Sequence, residues 1–300
     1  MLGTIRFLSV FVLLANIAAS VTAQQANQQA VGPDARVART NQPQANGQPQ
    51  AAPAPPFAPL LAQEQAELDQ ILAGWEKATS STATLETQFI KYHYNNGMAP
   101  ITVPATKGQG TIKYARPDRG AIKVDTLVFY SGNGADGQPT YKAHANEFGE
   151  HWICTGKELV EFDYKQQVCK INSIPENMQG KNIISSPLPF VFSLEARRMK
   201  ERFWVRKNPQ SPPDTVVLEV YPKRAEDRSQ YRVVMVALEA DFTPKALIMY
   251  APNFDPKKAV VYDHYEFQNF KRNGALNRMN EFMGNFIAIK PPAGFKVIRQ

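Results

Sequence analysis

The stretch GQGTIKYARPDRGAIKV, residues 108–124, predicts two antiparallel strands joined by a short turn at the proline. A turn formed by residues 117–119 gives the pairs Arg116 with Gly120, Tyr114 with Ile122 and Ile112 with Val124. In this register all the apolar residues share one strand face, whereas a two-residue turn would mix apolar and charged side chains on each face. The sequence therefore predicts an apolar face that ends in an inward-pointing arginine.

An inward arginine at position 116 needs polar partners, because its guanidinium has five N–H donors and a charge that is costly to bury alone. Those partners are carboxylates, backbone carbonyls or the polar end of a ligand. The alternative is that the long side chain curls out to solvent at the turn. The strand pattern by itself leaves both positions open.

The N-terminus predicts export from the cytoplasm. Residues 1–23, MLGTIRFLSVFVLLANIAASVTA, contain one early cation, an apolar run and small residues before an expected cleavage site after Ala23. An uncleaved membrane anchor is the alternative, but the run is short for a bilayer span of roughly 20 residues. Residues 24–56 are dominated by Gln, Ala, Pro and Asn, as in a disordered linker. Residues 57–300 then form one domain.

The domain is predicted to be mostly β, with one long helix at its start. Within residues 57–79, Leu61, Leu68, Leu72 and Trp75 follow helical spacing. Period-two patterns follow, joined by short turns, and they predict strands at 83–94, 109–115, 120–127, 148–155, 158–163, 167–172, 201–207, 215–222, 231–239, 244–251 and 258–270, with a last one near 285–289. Such a pattern suggests a mostly β (α+β) protein with a large curved antiparallel sheet of about eleven strands, open or nearly closed, wrapped on a helix.

The charge of the chain does not predict nucleic-acid binding, although the formal net charge is +7. An exported protein lacks the intracellular setting in which nucleic-acid recognition operates. A basic surface that faces anionic lipid or an acidic partner fits the composition, and so does a solvated surface of mixed charge.

The sequence contains no recognisable catalytic or metal-binding motif. It lacks Gly-x-Ser-x-Gly, a Gly-rich phosphate loop before a helix, and His-Glu-x-x-His, and its four histidines fit no local metal spacing. Asp263, His264 and Glu266 alternate along a predicted strand, so Asp263 faces away from the other two, as on an ordinary polar sheet face. We therefore expect a protein that is not an enzyme and has no cofactor or metal site.

The two cysteines, Cys154 and Cys169, are expected to remain thiols, although an oxidising compartment favours disulfides. They fall on the first and third strands of a predicted meander. Two strand spacings are about 9.5 Å, which exceeds the limit of roughly 7 Å between the Cα atoms of a disulfide.

The order of motifs resembles the LolA family of periplasmic lipoprotein carriers. The motifs are a helix, long strands, the Arg-Pro turn, HWICTGKELVEFDYKQQVCKI, PLPF with a following helix, and the closing FIAIKPPAGFKVI. The chain is most similar to a secreted, uncharacterised branch known from planctomycete bacteria. The resemblance implies a half-open barrel with a helical lid over an apolar cavity for acyl chains. It also implies that Arg116 bonds the lid backbone and that Pro189 and Phe190 begin the lid.

Two departures from the family pattern are visible. Gly120 and Ile122 replace aromatic residues that usually follow the turn, and residues 127–148 form an insertion between strands. The leading hypothesis is a soluble, monomeric envelope protein that binds a hydrophobic ligand, either a lipid or lipoprotein acyl chains, with a possible envelope protein partner. The expected cavity-lining residues are Ile112, Tyr114, Ile122 and Val124. The alternative is a protein-interaction or stress-sensing module on the same fold, without lipid cargo.

Overall fold

The computed structural model describes residues 54–145, 147–176, 179, 195–274, 279–287 and 290–299. The described helices are α1 (Ala62–Ser80), α2 (Ala196–Arg202), α3 (Ala225–Gln230) and α4 (Met279–Met283), the last continued by a 3₁₀ turn at Gly284–Phe286. The described strands are β1 (Thr84–Asn95), β2 (Thr106–Ala115), β3 (Arg119–Asn133), β4 (Pro139–Lys142), β5 (His151–Cys154), β6 (Glu158–Asp163), β7 (Val168–Ser173), β8 (Phe203–Lys207), β9 (Val216–Pro222), β10 (Val233–Leu238), β11 (Pro244–Tyr250), β12 (Val261–Arg272) and β13 (Lys296–Arg299). The chain divides into two compact units, Met1–Pro59 and Leu60–Gln300, and all these elements belong to the second.

The strands form one open sheet in the order β13-β7-β6-β5-β3-β2-β1-β12-β11-β10-β9-β8, with β4 paired to the far end of β3. Every neighbouring pair is antiparallel except β13 with β7, which is parallel. Among the described strands, β13 and β8 each have a single neighbour, so the sheet does not close. The prediction of a mostly β protein with a large unclosed antiparallel sheet is confirmed.

Helix α1 and the sheet share one hydrophobic core. Leu68, Leu72 and Trp75 of α1 belong to a buried cluster that reaches from Trp152 on β5 to Phe203 on β8. Laid flat, the strands from β5 to β8 would span about 38 Å, several times the 10–12 Å width of a helix. A sheet that shares a core with one long helix over this span curves around it. We call the face toward α1 the inner face and the opposite face the outer face.

The start of α1 differs from the sequence prediction by five residues. The helix begins at Ala62, with Leu61 extended as its N-cap, and Pro59 disfavours helical conformation at Ala58 before it. The backbone N–H of Leu61 donates to the carboxylate of Glu64 at 2.8 Å, which satisfies one donor at the helix start.

The register predicted for the β2–β3 hairpin is wrong by two residues. The observed pairs are Ala115 with Arg119, Tyr114 with Gly120, Ile112 with Ile122 and Gly110 with Val124. The backbone N–H of Arg116 donates to the carbonyl of Ala83 at 2.9 Å, so residue 116 has left the β2–β3 ladder and the turn comprises residues 116–118. Because the shift is even, the apolar residues still share one face.

The closing strand is also placed differently from the prediction near 285–289. Residues 284–286 form the 3₁₀ turn, residues 288 and 289 lie outside the described residues, and the final strand is Lys296–Arg299. Phe282 and Phe286, four residues apart, are buried against the outer face, with 7% and 1% of their surfaces exposed. Their burial against distant strands decides the local structure here. The insertion at 127–148 extends β3 and adds β4.

Both cysteines are free, as the sequence predicted, and both are buried. Cys154 belongs to the inner-face cluster and Cys169 to the outer-face cluster, so the sheet itself separates the two thiols. Burial raises the pKa of both thiols, which lowers their reactivity at neutral pH.

We expect thiol titration of the unfolded, unreduced monomer to find two free thiols. A thiol-blocking reagent should label the native protein slowly, because both sulfur atoms are buried. Denaturant should make both accessible at once. A monomer without titratable thiols and without an intermolecular crosslink would contradict the strand order β5-β6-β7.

Candidate functional site

Three of the four expected cavity-lining residues lie in the core against α1. Ile112, Tyr114 and Ile122 expose only 1%, 3% and 1% of their surfaces. Val124 is half-buried and packs at the margin of the same cluster. The inner face is therefore filled near the β2–β3 turn and less so further along the strands.

Arg116 is exposed at the turn, the second of the two positions that the strand pattern left open, although its side chain reaches toward α1. Its guanidinium donates to the carbonyl of Ser80 at the end of α1. Arg119 is the more buried arginine of the hairpin, and its Nε donates to the Thr155 carbonyl at 3.2 Å. Pro189 and Phe190 lie outside the described residues, so the latch role of Arg116 stays a prediction.

The inner face continues away from this turn as three cross-strand rows, which we call the inner-face patch. The first row is Val124, Gly110, Phe89 and Phe267, the second is Leu127, Gly108, Lys91 and Tyr265, and the third is Phe129, Thr106, His93, Asp263 and Met249. The rows follow from the β3-β2-β1-β12-β11 pairing, in which opposite residues share a face.

The apolar members of the patch are incompletely covered. Val124, Leu127, Phe129, Met249 and Phe267 are all half-buried. If Gly108 carried a Cβ atom, that atom would lie 3.2 Å from the Val124 side chain and 3.8 Å from the Leu127 side chain. These two side chains therefore occupy the space next to the glycine. The wall between Lys91 and β3 is therefore apolar.

A charged cluster lies in the middle of the patch. The imidazole Nδ1 of His93 lies 2.8 Å from one carboxylate oxygen of Asp263, and the Lys91 ammonium lies 3.4 Å from the other. The ammonium also lies 5.2 Å from the centre of the Tyr265 ring. The side chains of Lys91, His93 and Asp263 are 25%, 29% and 29% exposed, so all three remain accessible.

The electrostatics of the cluster favour its charged forms. Burial tends to lower the pKa of Lys91, but Tyr265 and the carboxylates of Asp263 and Glu150 outweigh it and raise that pKa above its ordinary value. Burial tends to raise the pKa of Asp263, and the hydrogen bond from His93 with the charge of Lys91 lowers it below its ordinary value. Lys91 is therefore a fixed cation and Asp263 a fixed anion at neutral pH.

Asp263 and His264 divide between the two faces, as alternation predicted, but His264 does not lie on a wet face. Its side chain is 5% exposed, and its ring lies 5.8 Å from that of Tyr92. Burial lowers the pKa of His264 to about 4. The polar-face interpretation is wrong for this residue because it is buried beside an aromatic ring.

The sequence alone did not bring Lys91, His93 and Asp263 together. His93 and Asp263 are 170 residues apart, and only the pairing of β1 with β12 makes them neighbours. In the sequence, the only sign of this cluster is that charged or polar residues occupy alternate positions of two strands. Such a pattern is too common to identify a site.

A separate cleft of about 430 Å³ lies where β1, β2 and β12 approach α4. Its lining is Thr84, Leu85, Glu86, Lys113, Lys271, Gly274, Glu281, Phe282 and Asn285. The Lys113 ammonium donates to the Asn285 side-chain oxygen at 2.9 Å. The cleft shares no residue with the inner-face patch.

Within the described ranges, no group of three or more His, Cys, Asp or Glu side chains lies close enough together to hold a metal ion. No helix in the described part of the chain is long and apolar enough to span a membrane.

No protein-family model and no curated protein matches the chain. Similar solved structures include an uncharacterized conserved protein from Thermus thermophilus, with 10% identity, a TM-score of 0.40 and coverage of 78% of this chain and 99% of that one. MucB matches with 11% identity, a TM-score of 0.34 and coverage of 70% and 60%. A LolA superfamily protein from Nitrosomonas europaea matches with 10% identity, a TM-score of 0.32 and coverage of 71% and 96%.

The LolA superfamily, which the sequence resembles, is therefore represented among these matches. At TM-scores of 0.40 or less, and with about one residue in ten identical, they carry no argument about cargo, partner or activity.

Proposed function

We propose that the protein binds a hydrophobic ligand, a lipid or the acyl chains of a lipoprotein, on the inner-face patch. The observation that supports this is the row of half-buried apolar side chains on the inner wall, which continues beyond the part that α1 fills. Concave surfaces lined by apolar side chains with a few polar groups are the usual form of small-molecule sites. The proposed setting is the cell envelope, after export directed by residues 1–23.

The filled core beside the turn favours the alternative of a protein-interaction or sensing module. Ile112, Tyr114 and Ile122 are fully packed, so that part of the wall has no room for a chain unless α1 moves. Native mass spectrometry of the purified protein separates the two functions, because a carrier retains a lipid adduct and a sensor without cargo does not.

Leu127→Gln should weaken binding of the apolar dye N-phenyl-1-naphthylamine roughly tenfold, since it removes a large apolar contact from the patch. Val128→Gln is the matched control, because Val128 is the next residue of β3, is also half-buried and lies on the outer face. Dye fluorescence titrations measure both. Equal losses in the two variants, or no binding by the wild-type protein, would reject the inner-face patch as the site.

A further inference from the structure

The cation in the inner-face patch makes no short ion pair with its nearest carboxylate. The distance of 3.4 Å between the Lys91 ammonium and Asp263 exceeds the 2.7–2.9 Å of a charge-assisted hydrogen bond. The short bond of Asp263, at 2.8 Å, is to His93 instead. An ammonium has three donors, so Lys91 retains capacity for another anionic acceptor.

Besides Asp263, the surroundings of Lys91 supply one neutral acceptor, the Tyr265 hydroxyl, which hydrogen-bonds the ammonium and leaves one of its three donors unused. Its neighbours across the strands are Gly108 on β2 and Tyr265 on β12. Glu150 acts on Lys91 electrostatically, but its carboxylate accepts a hydrogen bond from the indole N–H of Trp152 at 2.9 Å. A partly exposed ammonium beside apolar side chains, with one donor still unused, can accept a ligand that brings its own negative charge.

The cation and the apolar surface are spaced as the two ends of one amphiphile. Leu127 lies two strands from Lys91 in the same row, which is about 10 Å. Met249 and Phe129 lie in the adjacent row and are half-buried. An acyl chain on these side chains would bring its head group toward Lys91.

We propose that Lys91 is the anchor for a single anionic head group, a carboxylate or a phosphate, on a ligand whose acyl chain lies against the half-buried residues of the inner-face patch. This specifies the ligand class and rests on the proposed function. Asp263 has a positioning role. Asp263 contacts the Lys91 ammonium when no ligand is bound. When a ligand is bound, the ammonium contacts the head group of the ligand instead.

The test compares cis-parinaric acid with its methyl ester, which has the same acyl chain but an uncharged head group that is larger by one methyl. Lys91→Met should lower the affinity for the acid at least about tenfold, as expected for one hydrogen bond from a charged donor, and leave the ester within twofold. Lys91→Arg should keep acid binding. Lys123→Met is the control, because it removes the same charge from an exposed position on the outer face.

Asp263→Asn separates an anchor from a structural ion pair. Removing the competing carboxylate should raise the affinity for cis-parinaric acid. If the ion pair were merely structural, Lys91→Met and Asp263→Asn would both lower the affinity for the acid. Competition of bound parinaric acid by dodecanoate and by dodecyl phosphate identifies which anionic head is preferred.

The possible outcomes test the anchor role of Lys91 separately from the binding of a hydrophobic ligand. Preference for the acid that disappears in Lys91→Met supports the anchor. Equal binding of acid and ester by the wild-type protein, or equal loss of both in Lys91→Met, would overturn the anchor and leave the apolar site intact. Binding of neither probe would overturn the proposed function together with the anchor.

Discussion

Trp75→Ala is expected to lower the free energy of unfolding by about 3–5 kcal/mol. Trp75 is 1% exposed and is among the largest fully buried side chains in the described residues. It lies on the face of α1 that packs in the inner-face cluster, together with Leu68 and Leu72. Its removal leaves a cavity between the helix and the curved sheet that neither element can close without moving.

Chemical denaturation followed by far-ultraviolet circular dichroism measures this loss without relying on tryptophan fluorescence. Gln70→Ala is the control, because Gln70 is exposed on the same helix and such changes stay within about 0.5 kcal/mol. A loss below about 1 kcal/mol for Trp75→Ala would show that α1 does not sit in the core of the sheet.

Glu219→Ala is expected to cost about 3–5 kcal/mol of unfolding free energy, as when one partner of a buried ion pair is removed. Glu219 is 1% exposed in β9. Its carboxylate accepts hydrogen bonds from Arg206 Nε at 2.7 Å, Asn208 Nδ2 at 2.6 Å and the Tyr221 hydroxyl at 2.8 Å. Alanine removes the acceptor that all three donors share, close to the open edge of the sheet.

Glu219→Gln keeps the shape and one acceptor oxygen, so its cost should fall between those of the alanine variant and the wild-type protein. Glu239→Ala is the control for loss of one carboxylate, because Glu239 is exposed just after β10. Wild-type stability in Glu219→Ala would mean that the network contributes nothing beyond what apolar packing supplies.

The two stability predictions differ in how far the sequence anticipates them. Trp75 is on the apolar stripe of a helix that spacing alone predicts. Glu219 interrupts an apolar strand, and two of its three donors, Arg206 and Asn208, are brought beside it only by the pairing of β8 with β9, whereas Tyr221 lies on β9 itself. The spacing of apolar residues predicts the burial of Trp75, because the helical repeat is present in consecutive residues. The hydrogen bonds of Glu219 depend mainly on contacts between strands.

The same division applies to the candidate site. Alternation correctly placed Ile112, Tyr114 and Ile122 on one face, but it could not show that α1 would fill the space above them. Lys91 was not singled out, since a lysine in an alternating strand is ordinary. Its position beside Asp263 arises from pairing between strands that are far apart in the chain.

The sequence by itself determined the local periods: the amphipathic helix, the strand faces and the separation of Cys154 from Cys169 by two strands. These properties follow from the 3.6-residue period of helices and the two-residue period of strands, which can be recognised in consecutive residues. The tertiary structure decided the rest. The backbone hydrogen bond from Arg116 to Ala83 sets the position of the β2–β3 turn. Burial of Phe282 and Phe286 accompanies a 3₁₀ turn where the sequence predicted a strand. The pairing of β1 with β12 brings Lys91, His93 and Asp263 together. In each case a long-range contact outweighed a local preference, because burial and ladder hydrogen bonds are gained only when distant segments meet.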